Sequence, residues 1–415
     1  MVFRRSTWML CVGLVWVAGC NGPELDEGEV PEASTEELRA TWDKVQAPAW
    51  SALAELPGKL DDSPLFVSNN PEIFTGEGLL AGTYGAPGRS FPSVVMQQGC
   101  PAGTFRSVDA YTFHINKTGT KKKVALLISA VGGDAKVTVE GAANANQWTL
   151  GKSSSWATSR DMLGAWPIKK TLDLKAMTVA EAGSIEVNQG NPVDTRYRIR
   201  VTQGSGCLVV REVVGPAGAS VNKLLELGQT KNAPGEIKSP NKSTGAFGRT
   251  AGVYKGTTWA GAVNINLKQP SNLLGYRFNS QEQAAESFAV YPDSNPRGMG
   301  NYGVLYDLDF SVQNQTGSCV DVTAALVAYP RQLHPNQMNK FLAENKDPDP
   351  SRFWDGMALL NDALKPVLTT PQNPEQELAK GRLTPGKGLV WTFAIPVPGL
   401  ISIPGAITLR TAPCP

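Results

Sequence analysis

From Leu56 onward the chain runs in short β-rich stretches, each broken by Gly, Pro or Asn before a long helix can form. This texture constrains the fold more than any other feature, because a pattern that restarts every few residues suits strands and turns. Residues 111–116, 124–130, 136–140, 196–202 and 207–214 read as strands, rich in β-branched and aromatic side chains. The turn Gln203-Gly204-Ser205-Gly206 predicts a tight hairpin between the last two. Strands resume at 253–254, 259–267, 302–313, 320–329, 388–395 and 401–409. With 42 Gly and 30 Pro to supply turns, the expectation is a mainly β protein of two β-sandwich-like domains with a few short helices.

The expected boundaries follow composition. Residues 56–215 form a first sandwich-like domain and 251–415 a second. Residues 216–250, rich in Gly, Pro, Asn, Lys and Ser around a helical fragment at 220–227, connect them. An N-terminal helix is expected within 34–55, where Ser34 and Glu37 form a capping box. Helical spacing also marks 336–342 and 353–364. A faint echo links the halves: Phe113 to Asn116, Thr118 and Gly119 against Phe310 to Asn314, Thr316 and Gly317, aligned with one extra residue in the second. Duplication and convergent hairpin chemistry explain it about equally.

The first twenty residues say where such a chain goes. Arg4 and Arg5 precede an apolar stretch, Trp8 to Val17, that is too short to span a bilayer. It ends in Val17-Ala18-Gly19-Cys20, a layout that resembles a bacterial lipobox. Small residues admit the peptidase and only a thiol accepts the diacylglycerol. Residues 1–19 are then a signal peptide and Cys20 the lipidated N-terminus. Glu24, Asp26, Glu27, Glu29, Glu32, Glu36 and Glu37 follow with no base among them, so 20–33 reads as an acidic flexible tether. Asn21 lacks the aspartate that favours inner-membrane retention, which points to the outer membrane, facing periplasm or cell surface.

Six cysteines then sort themselves. Cys11 leaves with the signal and Cys20 takes the lipid. Cys100, Cys207, Cys319 and Cys414 remain, an even number suited to an oxidising compartment. Four cysteines allow three pairings. Cys100–Cys207 with Cys319–Cys414 is favoured because each bridge then stays within one domain.

The run Leu56-Pro57-Gly58, Leu60-Asp61, Pro64, Phe66, Ser68-Asn69-Asn70-Pro71-Glu72 and Glu77-Gly78 resembles the opening of a bacterial family of uncharacterised secreted proteins, the domain-of-unknown-function (DUF) family numbered thirty-three seventy. Gly252-Val253 with Gly256-Thr257-Thr258-Trp259, Gly300-Asn301-Tyr302-Gly303-Val304, and Asp349-Pro350 with Phe353-Trp354 resemble later stretches of it. The likeness spans roughly residues 56–411 and departs most at 140–240. It implies no activity and no catalytic residues. Read bottom-up, the same motifs are architecture: turn formers, Asp61 as an acceptor for turn amides, and Phe66 as a core anchor.

Chemistry is sparse. With only His114 and His334, a His-rich metal site or a Ser-His-Asp triad is hard to assemble. Ser220 with Lys223 matches S-x-x-K, yet it suits a helix N-cap better. Asp307 and Asp309 share a strand face, and Asp347, Asp349 and Asp355 crowd one acidic turn, a weak Ca²⁺ candidate. Either set also offers carboxylate pairs for a carbohydrate-active hydrolase. Trp148, Trp156 and Trp166 lie in a Ser/Gly/Asn-rich stretch and are candidates for stacking on glycan, although plugging a sandwich edge explains them too. The mild positive excess of the body, spread along the chain, is no nucleic-acid stripe. The expectation is a non-catalytic binding or scaffolding module without cofactor, held to the membrane through its lipid. Its expected partners are envelope proteins or, as the alternative, envelope polysaccharide.

Overall fold

The computed structural model describes residues 45, 47–83, 99–146, 149, 151–236, 250–280, 283–291, 294–298, 300–329, 354–370, 373–399 and 405–415. The signal peptide, Cys20, the tether, most of the 34–55 helix and the 336–342 helix lie outside them. The protein is mainly β, built as two sandwiches. The first packs a nine-stranded sheet, centred on Pro64–Ser68, Ser107–Asn116, Pro192–Gly204 and Ala135–Asn144, against four strands, Val179–Val187, Lys122–Val131, Cys207–Pro216 and Gly78–Gly82. The second packs six strands, centred on Thr258–Leu267, Leu305–Asn314 and Gly388–Pro396, against five that include Val320–Ala328 and Gly405–Pro413. Ala251–Lys255, Ala285–Val290 and Arg297–Gly298 extend the large sheet of the first sandwich, the last two after the chain has already laid Thr258–Leu267 and Asn272–Phe278 into the second.

The sandwiches repeat one topology. In each, the first strand lies parallel to the third: Ser68 faces Thr112, and Val263 faces Phe310. After the third strand the chain crosses to the opposite sheet, and every later pairing recurs in the same order. Even a bulge recurs, at Ala182 between Glu181 and Gly183 and at Leu378 between Glu377 and Ala379, each on the strand beside Lys122–Val131 or Val320–Ala328. The turn after the third strand is bonded identically. Asn116 Oδ1 accepts from Thr118 N (3.0 Å) and Oγ1 (2.8 Å). Asn314 Oδ1 accepts from Thr316 N (2.9 Å) and Oγ1 (2.7 Å). Asn116 therefore matches Asn314 without a gap, and Phe113 aligns with Ser311 rather than with Phe310.

Strand alternation sets the cores. Tyr306, Leu308 and Phe310 are buried while Asp307 and Asp309 face solvent. Val108, Ala110, Tyr197 and Ile199 fill the first sandwich with Phe66. The opposite face of that sheet, through Leu65, Val67, Tyr111, Phe113 and Ile115, belongs to the core of the second sandwich. Asp61 holds the entry as expected, accepting from Ser63 N (3.2 Å), Thr257 N (2.7 Å) and Thr257 Oγ1 (2.9 Å).

Two local expectations fail. Gln203–Gly206 is a corner rather than a hairpin, because the strands it joins belong to opposite sheets. Gly204 has φ +90°, and a Cβ there would lie 2.2 Å from Asp134 O, so two such corners stack closely. Residues 354–364 are not helical: Trp354–Leu360 and Ala363–Thr369 pair as a hairpin, turned by Asn361 and Asp362 with φ of 44° and 64°. The predicted helical fragment is real and longer. Here α2 (Val221–Thr230) starts at Ser220, whose Oγ accepts from Lys223 N at 3.3 Å, and lays Leu224 and Leu227 on the four-stranded sheet.

Disulfides join Cys100 to Cys207 and Cys319 to Cys414, with Cα atoms 5.8 and 5.4 Å apart. They mark an extracytoplasmic protein. Among the described residues no helix is long and apolar enough to cross a membrane.

Candidate functional site

A buried group of ionisable side chains lies where the sandwiches meet, on the outward face of the first large sheet. A helix, α1 (Ser154–Leu163), is wedged there, capped by Ser153, whose Oγ accepts from Trp156 N at 3.1 Å. Its buried face is small and hydroxylated: Ser154, Ser155, Ala157, Thr158 and Ser159. Such a face cannot dock through apolar area, so it docks through hydrogen bonds. Asp194 Oδ2 accepts from Ser155 Oγ (2.6 Å), Gly399 N (3.1 Å) and Tyr111 OH (3.2 Å), joining the helix, the second sandwich and the neighbouring strand. Thr158 Oγ1 donates to Asp194 O at 2.9 Å. Burial pushes the Asp194 carboxyl up to about 6, against the pull of those donors and of Arg196. On the other side of α1, Asp355 Oδ1 accepts from Gly151 N at 2.9 Å, and burial raises that carboxyl too.

Beside Asp194, Arg196 Nη2 reaches Asp109 Oδ2 at 3.2 Å and Arg200 Nη2 reaches Asp109 Oδ1 at 2.6 Å. Arg196 is buried, with Nε and Nη1 lacking a hydrogen-bond partner. Tyr111 stacks on Tyr302 of the segment leading into the second sandwich, ring centroids 6.4 Å apart. Asp109, Tyr111, Asp194, Arg196 and Tyr302 are buried while Arg200 reaches the surface, and what the row does chemically is hold the two sandwiches and α1 together.

A second buried polar group, Ser68, His114 and Glu212, sits inside the first sandwich. His114 Nε2 is 3.0 Å from Ser68 Oγ and 2.9 Å from Glu212 Oε2, and Nδ1 is 2.7 Å from Pro71 O. The residue types are those of a hydrolytic triad, but the geometry is not. Serine and carboxylate share one ring nitrogen, so the carboxylate does not orient the ring from behind, and all three residues are buried. Nothing in the sequence pattern marks this group, since its members are far apart in the chain.

The other sequence candidates are scattered. Trp156 on α1 and Trp166 are half-buried, each with a guanidinium over its ring: Arg160 at 5.4 Å and Arg198 at 5.3 Å from the centroids. Trp148, Asp347 and Asp349 lie outside the described residues. Asp307 and Asp309 stand on the open outer face of the second large sheet, beside exposed Ala260, Asn264, Val390 and Thr392. Among the described residues no three His, Cys, Asp or Glu side chains gather to hold a metal.

A family model described as a protein of unknown function (DUF3370) matches residues 52–150 and 213–361, more than half of the chain. The chain belongs to the DUF3370 family. The stretch between the two segments holds α1, Asp194 and Arg196, so the wedge lies outside what this DUF3370 protein shares with the family model. No match is found among curated proteins. Solved structures give remote similarities. An anti-sigma factor domain-containing protein from Clostridium clariflavum matches at 11% identity and TM-score 0.17, over 79% of this chain and 86% of that one. The tandem CBM22-1–CBM22-2 domain of Xyn10C from Paenibacillus barcinonensis matches at 10% and 0.16, over 88% and 92%. The human CUB1-EGF-CUB2 domain of MASP-1/3 matches at 10% and 0.15, over 78% and 99%. Superpositions at this level carry no argument about function.

Proposed function

We propose that this DUF3370 protein is a lipid-anchored, non-catalytic binding or scaffolding module of the bacterial envelope, anchored in the outer membrane through Cys20. The observation that carries this reading is the outer face of the second large sheet. It is exposed, made largely of small, amide and acidic side chains, and Val390 is 59% exposed on it. The matching face of the first sandwich is spent on the contact between sandwiches, so of the two, among the described residues, it is the second face that is open to a partner. The N-terminal side supports the arrangement. Tyr329 OH donates to Pro48 O at 2.7 Å, and Glu55 pairs with Arg277 at 2.6 Å, so the first described residues lie against the second sandwich.

The test is mild crosslinking and pull-down of the mature protein from intact envelopes, with Asn264→Arg/Val390→Arg alongside. A defined set of envelope proteins, lost in the double variant, supports the module. Recovery of glycan alone, abolished by Trp156→Ala and Trp166→Ala, would replace it with polysaccharide binding. A Cys20→Ser variant that stays in the membrane fraction would refute the lipid anchor.

A further inference from the structure

The repeated topology supplies an internal control for the Ser68–His114–Glu212 group. Because Ser68 faces Thr112 and Val263 faces Phe310, Ser68 of the first copy corresponds to Val263 of the second. The gapless match of Asn116 with Asn314 places His114 opposite Val312. Glu212 faces Leu126 while Leu409 faces Ala324, at the step where both copies carry the bulge, so Glu212 corresponds to Leu409. Val263, Val312 and Leu409 all lie in the apolar core of the second sandwich. One fold thus fills the same three core positions once with a polar group and once with hydrocarbon. Apolar replacement of a buried polar cluster is often neutral or stabilising, so packing alone does not account for the polar version.

What differs around it is the next loop. Residues 69–77, which include the short strand Ile73–Phe74 paired with Ile115 and Asn116, connect Pro64–Ser68 to Gly78–Gly82 in the first copy, where the second copy uses only 268–271 between Thr258–Leu267 and Asn272–Phe278. This longer loop seats on the polar group. His114 Nδ1 donates to Pro71 O, since a carbonyl only accepts, while Nε2 lies 2.9 Å from Glu212 Oε2 and 3.0 Å from Ser68 Oγ at the root of the loop. The loop in turn ties down the path to the second copy. Asn69 N donates to Thr250 O (2.8 Å), Asn70 Nδ2 to Ser294 Oγ (3.2 Å), and Glu236 N to Ile73 O (3.0 Å). Gly235 lies so close that a Cβ would fall 2.2 Å from Ile73 O.

We propose that Ser68, His114 and Glu212 are positioning residues whose ligand is the protein's own 69–77 loop, and that through this loop the first core fixes the connection to the second copy. The test transplants the second copy's trio, Ser68→Val/His114→Val/Glu212→Leu, and reads amide hydrogen exchange. Exchange at Asn69, Ile115 and Glu236 should accelerate at least tenfold. Leu126 and Ile128 in the first core, and Val322 in the second, should keep their protection. Unchanged loop amides, or uniform acceleration throughout the first copy, overturn the proposal. Should the triple variant fail to fold, His114→Gln, which can still donate to Pro71 O, is compared with His114→Val. Greater loop protection in His114→Gln supports the positioning role, and equal exchange in the two refutes it.

Discussion

Asp194 offers the sharpest perturbation. Its folded carboxyl lies at about 6 because burial outweighs its donors, against an unfolded value near 3.9. For an acid raised on folding, the folded state holds the extra proton. Its contribution to stability is therefore fully present below pH 4 and is lost as pH rises through 6. About two pK units correspond to about 3 kcal/mol, roughly a hundredfold in the unfolding equilibrium. Asp194→Asn removes that loss. All three side-chain bonds fall on Oδ2, so an amide oxygen placed there keeps them and the NH₂ takes the Oδ1 position. The variant should be more stable than wild type by about 1–3 kcal/mol at pH 7.5, after weaker hydrogen bonds to a neutral acceptor are allowed for, and about equal to it at pH 4. Guanidinium denaturation of both proteins at the two pH values measures this. A variant less stable at pH 7.5, or a difference that does not change with pH, would show that Asp194 is held ionised and that the reasoning is wrong.

Three other perturbations probe the fold. Cys100→Ala/Cys207→Ala opens a bridge with a sequence separation of 107 residues and should cost up to about 4–5 kcal/mol in the first sandwich; a denaturation midpoint unchanged from wild type contradicts this. Gly183→Val should cost about 1–3 kcal/mol by overpacking, because a Cβ at Gly183 already falls 2.3 Å from the Tyr197 ring; calorimetry measures it, and a neutral result means the ring moves freely. Asn264→Arg/Val390→Arg, on the open face, should change stability by no more than about 0.5 kcal/mol per site; thermal melting that shows a larger loss would mean the face is packed rather than exposed.

The strands were legible because each carries its own period: Tyr306 to Phe310 alternates in the sequence as it does in the structure. Partner choice was not. Gln203–Gly206 has hairpin chemistry, yet long-range packing sends the next strand to the other sheet. At 354–364 the spacing of Trp354, Met357 and Ala358 imitates a helix, while Asn361 and Asp362 supply the left-handed turn that decides for a hairpin. The α1 helix carries no apolar stripe, because its buried face bonds to carboxylates instead of filling a core. For the same reason neither Asp194 nor the Ser68–His114–Glu212 group stood out. Their meaning comes from partners far apart in the chain, such as Ser155 and Gly399 for Asp194, 39 and 205 residues away, and Ser68 and Glu212 for His114, 46 and 98 residues away. The acidic tether, Cys20 and the 347–349 turn were readable only as sequence.

If the open face of the second sandwich meets an envelope partner, site-specific photocrosslinking in intact cells captures that contact. A photoreactive residue at Val390 should yield discrete protein adducts, while one at exposed Asn222 on α2 should yield none. Adducts of equal yield at both positions, or none at Val390, would contradict the account.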